Sequence, residues 1–442
     1  GWAHTVNYQD KLDVFQLEIN PNNKNQYKFD GEWIELEKDK AKLKVKGIPI
    51  TIGKKIYWSK YGATVKTDKG VFSLRVPATM DIKALEEWYR MNKAKNFTEF
   101  YSALSMTSLP MFNVMYADRY DTIFYISNGK IPVRNPDPKY NWKSTIAGNT
   151  SNTLWTTFKP VQQLPQYVNP PSGYLYNTNH SPFLATDKKY NLDPKKFDRN
   201  DGYETYHNNR SQRVTELINN EKIDYSTFKK IKFDQQLPKE LKYIYGIDSM
   251  LNLNAGDYPA LKDMIATLQN WDRKAVINSK GAAIFLLVYD YVSKKLVGTP
   301  ARQLTRAESI EAYQYVYDYM IKNFDKTDLV LGDIQKLVRG DDARPAWGLP
   351  DVLTAEYTEP YKDGMRKIIS GDAYICFVRY PKDGSLPIIE SVNTFGTSMH
   401  PDSPHYKDQM AMFLNQQAKP MTLDKATVLK SAEKVYHPIK GN

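Results

Sequence analysis

Cysteine is almost missing from this sequence: Cys376 stands alone, which excludes an intrachain disulfide framework and any thiolate-rich metal site. Long hydrophobic runs are missing too. The most apolar stretch, residues 282–292, is far shorter than the roughly eighteen residues of a membrane span and reads as a buried helix or strand. The six histidines, at positions 4, 180, 207, 400, 405 and 437, include no pair at the helical spacing of a zinc protease, so no histidine metal site is expected. Nucleophile-elbow, phosphate-loop and dinucleotide-binding patterns do not occur, nor do internal repeats or low-complexity tracts.

What is present suffices for a substantial core. The chain has 442 residues, 41% of them hydrophobic and 13% aromatic, enough for one large domain or two intimate ones. A formal charge of +11, with lysine runs at 38–46 and 229–233, raises the question of nucleic acid. The first run alternates Lys with Ala, Leu and Val, as a half-solvated strand with one wet face would, and no nucleic-acid partner is expected. Cys376 falls in a strand-like segment, 373–380, and is predicted to be buried.

Residues 1–130 read mainly as strands, at 12–19, 41–45, 48–52, 71–76 and 122–127, separated by turn clusters. A helix over 81–93 places Leu85, Trp88, Tyr89 and Met91 near one apolar stripe with Asp81 as N-cap, and a second covers 96–105. From 132 to 200 the chain is rich in Pro, Asn, Gly, Ser and Thr, yet its many aromatics predict ordered loops of functional type. Helical spacing takes over at 213–220, 257–268, 306–323 and 329–338, and strands return at 373–380 and 387–392. The pattern predicts an α+β protein in three parts: 1–202, strand-rich with ordered loops; 203–370, mainly helical; and 371–442, strands and a helix.

Six ordered segments carry a resemblance that spans nearly the whole chain. They are Trp2-Ala3-His4-Thr5-Val6-Asn7 with Asp10 and Asp13; Leu109 through Asp118; Asn169-Pro170-Pro171-Ser172-Gly173-Tyr174 ending in Asn177-Thr178-Asn179-His180; Arg213-Val214-Thr215-Glu216-Leu217; Trp271-Asp272-Arg273; and Ser403 through Gln409. Together they resemble the large β-subunit of the penicillin-acylase family of N-terminal-nucleophile hydrolases, which includes penicillin, cephalosporin and acyl-homoserine-lactone acylases.

The resemblance implies an αββα sandwich, two antiparallel sheets covered by helices, with a largely helical additional region. It implies hydrolysis of the amide of an N-acylated substrate by an N-terminal Ser whose own α-amino group is the base. That Ser, in a Ser-Asn-x-Trp segment, is expected upstream of Trp2; the chain opens on Gly1 rather than Met and is expected either to have been cut or to begin inside a longer precursor. By motif position Asn179 and the Val6 N–H would be the oxyanion donors, and Arg213 would orient the nucleophile's amine and the Asn. His4, in place of a small residue, would narrow the acyl pocket and weaken a penicillin G assignment, with Tyr174 and Phe112 as further walls.

Asp10, the Leu12 carbonyl and Asp13 look like part of a structural calcium site, completed by a carbonyl near Ala147, by Asp187 and by an acid of the other subunit. No organic cofactor is implied. Expected partners are a small α-subunit and the upstream β-segment from the same autoproteolysed precursor, in a bacterial periplasmic or secreted heterodimer. The substrates in view are acyl-homoserine lactones, lipopeptides and β-lactams. The alternative is a catalytically inactive relative that binds acylated ligands.

Overall fold

The structure, a computed structural model, describes residues 1–218, 223–241, 247–297 and 302–437. It divides into two units, Gly1–Tyr206 and His207–Asn442.

In the first unit a four-stranded antiparallel sheet runs in the order Trp2–Thr5, Met111–Ala117, Ile123–Gly129, Gln166–Val168. Strand alternation gives this sheet two different faces. Val114, Tyr116, Phe124 and Ile126 point one way, into a core with Met91, Phe100 and Leu104 from the helices Ala84–Lys93 and Phe97–Leu104. Asn113, Tyr125 and Ser127 point the other way and are equally buried, which a sheet tolerates only when each polar group is bonded. The Tyr125 hydroxyl donates to Asn113 Oδ1 at 2.7 Å.

The helix expected over 81–93 starts at Ala84, and Asp81 does not cap it. Its carboxylate instead accepts from Lys83 N and from the Ser108 hydroxyl, and pairs with Lys130. Of the expected stripe Met91 is buried, whereas Leu85 and Tyr89 are exposed. The inward position between them is Glu87, whose Oε2 accepts from Ser108 N at 2.6 Å and Leu109 N at 2.9 Å. Burial pushes this carboxyl up to about 7 against those two bonds.

A six-stranded sheet follows the order Ile146–Ala147, Asp13–Leu17, Gly70–Arg75, Gly62–Thr67, Thr51–Ser59, Glu37–Lys44. It is antiparallel except at one edge, where Ile146 and Ala147 run parallel to Phe15 and Gln16. At the other edge the lysine-rich strand Glu37–Lys44 has no buried residue on either face, against the expectation of a single wet face. The 132–200 stretch is built of short 3-10 turns and two brief strands around buried Trp142, Trp155, Val161 and Phe183, as its aromatics required.

The second unit is built around the helix Lys280–Lys295, capped by Ser279 and buried through the run Gly281–Val288. Gly281 is needed there because a Cβ would fall 2.2 Å from the Trp271 ring. The helix Arg306–Phe324 packs against it, opened by a Thr305/Glu308 capping box. The expected helix at 213–220 is Asn209–Leu217, with residues 219 and 220 outside those described. The segment 329–338 departs from expectation: only Leu331–Ile334 is helical, and Gln335–Arg339 is a strand between Asp342–Pro345 and Arg366–Gly371. Its apolar residues fit either period, and sheet partners decide. A three-stranded sheet, Tyr374–Arg379, Ile388–Asn393 and Lys419–Met421, completes this unit. Ile375 and Phe377 point inward there, so Cys376 is exposed rather than buried.

Candidate active site

The polar face of the four-stranded sheet is met by the residues that leave its edge strand, Val6 to Lys11. Asn7 Nδ2 donates to Asn128 O at 2.8 Å, and Asn7 Oδ1 accepts from Phe112 N at 3.1 Å. Gln9 Nε2 donates to Ser127 Oγ at 2.8 Å. Beneath them Lys11 is buried, its ammonium donating to Gln9 Oε1 at 3.2 Å, and burial lowers its pKa to about 8. No sequence motif marks Lys11, since one lysine in a polar run carries no signal of burial.

The asparagine-rich loop leaves the opposite edge of this sheet, after Gln166–Val168, and returns to the edge at Thr5 and Val6. Asn169 extends the pairing of Ile123, accepting from its N–H at 2.7 Å and donating to its carbonyl at 3.0 Å. Farther along, Asn177 Oδ1 accepts from the Thr5 hydroxyl at 2.6 Å and from Asn179 N at 3.0 Å. Asn179 sits in the left-handed region at φ 59°, a conformation asparagine tolerates better than most residues. Its side-chain amide donates to Val6 O at 3.0 Å, so the two expected oxyanion residues are adjacent although 173 positions apart. His180 anchors the turn from below: Nδ1 accepts from Thr178 N at 3.1 Å, Nε2 faces Leu184 O at 2.9 Å, and the ring stacks on Tyr176.

An aromatic wall stands beside this junction. His4 meets the Phe112 ring edge-on at 4.4 Å and stacks on Trp2 at 5.4 Å, with Trp88 at 5.9 Å. Burial lowers the His4 pKa, which favours the neutral imidazole. Phe112 holds φ at 133°, a strained value for a residue with a side chain, at the register position opposite Asn128. His4 and Phe112 are thus brought together. Tyr174 packs instead with Tyr176, 6.4 Å away, inside the loop. Trp88 is a wall residue that the sequence offered only as part of a helix stripe.

Arg213 lies in the second unit, where it is held by acids of that unit. Its guanidinium reaches Asp234 through two bonds of 2.9 and 2.8 Å and Glu216 at 3.0 Å. These partners, Asp234 foremost, raise its pKa further.

The residues expected to hold calcium are gathered only in part. Asp10 and Asp13 do meet, but around Arg134, whose side chain is 1% exposed. Arg134 Nε donates to Asp13 Oδ2 at 2.9 Å, and Nη2 reaches Asp10 Oδ1 at 3.3 Å and Asp10 O at 3.1 Å. Trp155 Nε1 adds a bond to Asp13 Oδ2 at 2.7 Å. Burial raises the Asp10 pKa, with Arg134 opposing it. Gly202 packs so close that a Cβ there would lie 2.8 Å from Asp10 N.

Leu12 is exposed, the Ala147 carbonyl accepts from Thr153 Oγ1 at 3.2 Å, and Asp187 caps its own turn through Lys189 N. Of these two carboxylates, Asp13 Oδ1 is the oxygen buried without a hydrogen-bond partner, whereas calcium takes six to eight oxygens. Among the described residues no three acidic, histidine or cysteine side chains converge. With a guanidinium already between the carboxylates, the arrangement does not fit a calcium ion.

Comparison with known proteins agrees with the fold. The sequence model of the family described as penicillin amidase matches residues 1–430. The chain is 22% identical over 466 residues to the acyl-homoserine lactone acylase PvdQ of Pseudomonas syringae pv. tomato, covering 93% of this chain and 60% of the relative. It is 25% identical over 187 residues to penicillin G acylase of Escherichia coli, covering 41% of this chain and 21% of the relative. The chain therefore spans about 60% of the length of the PvdQ acylases it matches. A solved structure, a thermostable penicillin G acylase from Alcaligenes faecalis, superposes with a TM-score of 0.67 at 17% identity, covering 100% of this chain and 88% of that one. The fold is accordingly the α+β fold of N-terminal-nucleophile hydrolases.

Proposed function

The chain belongs to the penicillin amidase family, and we propose that it forms the larger part of an amidohydrolase that removes the acyl group of an N-acylated small molecule. The observation that carries this reading is the junction of Asn179 with Val6, made by a loop whose left-handed turn, histidine anchor and asparagine bonds all serve to fix one side-chain amide.

In this reading the Ser of an upstream segment attacks the amide carbonyl and its α-amino group takes the proton. Asn179 and the Val6 N–H hold the oxyanion that forms, which a neutral amide does without protonating the leaving group. The aromatic wall of Trp2, His4, Trp88 and Phe112 receives the acyl chain, a chemistry suited to acyl-homoserine lactones, lipopeptides or acylated β-lactams. A small subunit and the upstream segment complete the enzyme as a processed heterodimer outside the cytoplasm.

The test compares hydrolysis of acyl-homoserine lactones and phenylacetyl amides by the chain alone and by the chain joined to its upstream segment. Turnover is expected only from the joined protein. Equal turnover from the chain alone puts the nucleophile inside residues 1–442 and sinks the reading. A joined protein whose segment does not begin with Ser, Thr or Cys, and which binds substrate without cleaving it, makes the chain an acyl-binding relative.

A further inference from the structure

The strands Glu37–Lys44 and Thr51–Ser59 form a hairpin at the edge of the six-stranded sheet, and the catalytic reading leaves it without a task. Residues 40–55 contain Lys40, Lys42, Lys44, Lys46, Lys54 and Lys55 and no Asp or Glu. Lys40 pairs directly with Lys55, a like-charge pair that works against the hairpin's own stability. Lys66, on the next strand, has its pKa lowered by burial and then by Lys38 and Lys55, as expected in a positive field.

Between these lysines the tip is aliphatic. Leu43 and Ile52 face each other across the hairpin, and Leu43, Val45, Ile48, Ile50 and Ile52 are 47, 48, 46, 63 and 46% exposed. Single exposed aliphatics are ordinary, but five within ten residues at one tip mark a surface that meets something apolar. An edge strand guarded only against aggregation needs the lysines and not the aliphatic tip.

We propose that this hairpin docks on anionic lipid bilayers, its aliphatic tip entering the interface while the lysines stay among the headgroup phosphates. Both halves of the feature are then used: cationic side chains are drawn to a negative surface, and aliphatic ones gain by leaving water at the acyl boundary. Nucleic acid would use the lysines only, because residues 40–55 hold no aromatic side chain on which a base could stack.

The test uses the protein joined to its upstream segment, sedimented with phosphatidylcholine vesicles that contain or lack phosphatidylglycerol. Binding is expected to the anionic vesicles alone, falling with added salt and falling about fivefold for each of Lys40→Gln, Lys42→Gln and Lys44→Gln. The pair Ile48→Ser and Ile50→Ser is expected to weaken it further without lowering the melting temperature. In an Ile50→Trp variant the emission is expected to shift to the blue on binding. Failure to sediment, binding indifferent to these substitutions, or retention on an acidic protein but not on anionic vesicles overturns the proposal. So does binding by the chain alone that the joined protein lacks, since the segment would then cover the tip.

Discussion

The asparagine loop, residues 169–182, and the lysine hairpin, residues 37–59, reverse what their sequences suggest. The loop has the Pro, Asn and Gly content of a linker and is locked at every turn: His180 and Ser181 are buried, and its asparagines bond Ile123, Thr5 and Val6. The hairpin has the alternation of a half-buried strand and stands in solvent on both faces. The difference lies in partners. Asparagine side chains satisfy backbone groups wherever a polar strand edge is offered, whereas Leu43 and Ile52 are buried only if another layer lies over them. Local pattern describes what a segment is able to do, and the neighbouring elements decide whether it does so.

If buried polar bonds hold the first unit, breaking them must cost more than altering the hairpin. The largest effect is expected at Arg134. Arg134→Ala leaves Asp13 buried and unpaired, and chemical denaturation should register a loss of about 3–5 kcal/mol. A chelator, in contrast, should leave the melting temperature of the wild-type protein unchanged. A loss under 1 kcal/mol in the variant, or a chelator-dependent melt, would return the two aspartates to a metal.

Asn179→Ala in the joined enzyme should lower kcat by about 10²- to 10³-fold with the fold intact, the cost of one oxyanion donor. Near-normal turnover would reduce the loop to a structural brace.

Glu87 tests the same region through pH. Its folded pKa of about 7 lies above the 4.5 of an unperturbed glutamate, so its contribution is full below the lower value and lost as pH rises through the upper one. Glu87→Gln should therefore gain stability relative to wild type between pH 5 and 7 and hold a constant advantage above, on the order of a few kcal/mol. Urea denaturation at several pH values checks the sign. A difference independent of pH would mean that Glu87 titrates as an exposed acid.

The smallest effect belongs to the hairpin. Ile48→Ser and Ile50→Ser should each move stability by no more than about 0.5 kcal/mol, as exposed positions do. A loss of 2 kcal/mol in thermal melts would show that the tip is covered in solution and would remove the contrast.

Part of the candidate site was legible because its segments stand in an ordered set of motifs. Asn179, Val6, His4 and Phe112 were all named from sequence, and the structure brings them into two neighbouring groups. Lys11 and Trp88 were not, because burial of a lysine and contact between a helix and a distant strand leave no local trace. The resemblance groups Asp10 with Asp13 as metal ligands, but nothing local shows the guanidinium of Arg134, which arrives from 121 residues beyond Asp13. The segment 329–338 was misread for a related reason: its apolar spacing suits a helix and a strand alike, and only Asp342–Pro345 and Arg366–Gly371 alongside it settle the matter.

By itself, then, the sequence determined the class of fold, the family, part of the strands of the first unit and the long helix from Arg306, while leaving 282–292 open between helix and strand. Those follow from side-chain periodicity and from motif order, both of which are properties of the chain taken one residue after another. The tertiary structure alone decided which polar groups are buried, which cation neutralises Asp13 and which face of each strand is covered. Each of these depends on an element distant in sequence, and the free energy of burying a charge or an aliphatic side chain is set by what lies opposite it.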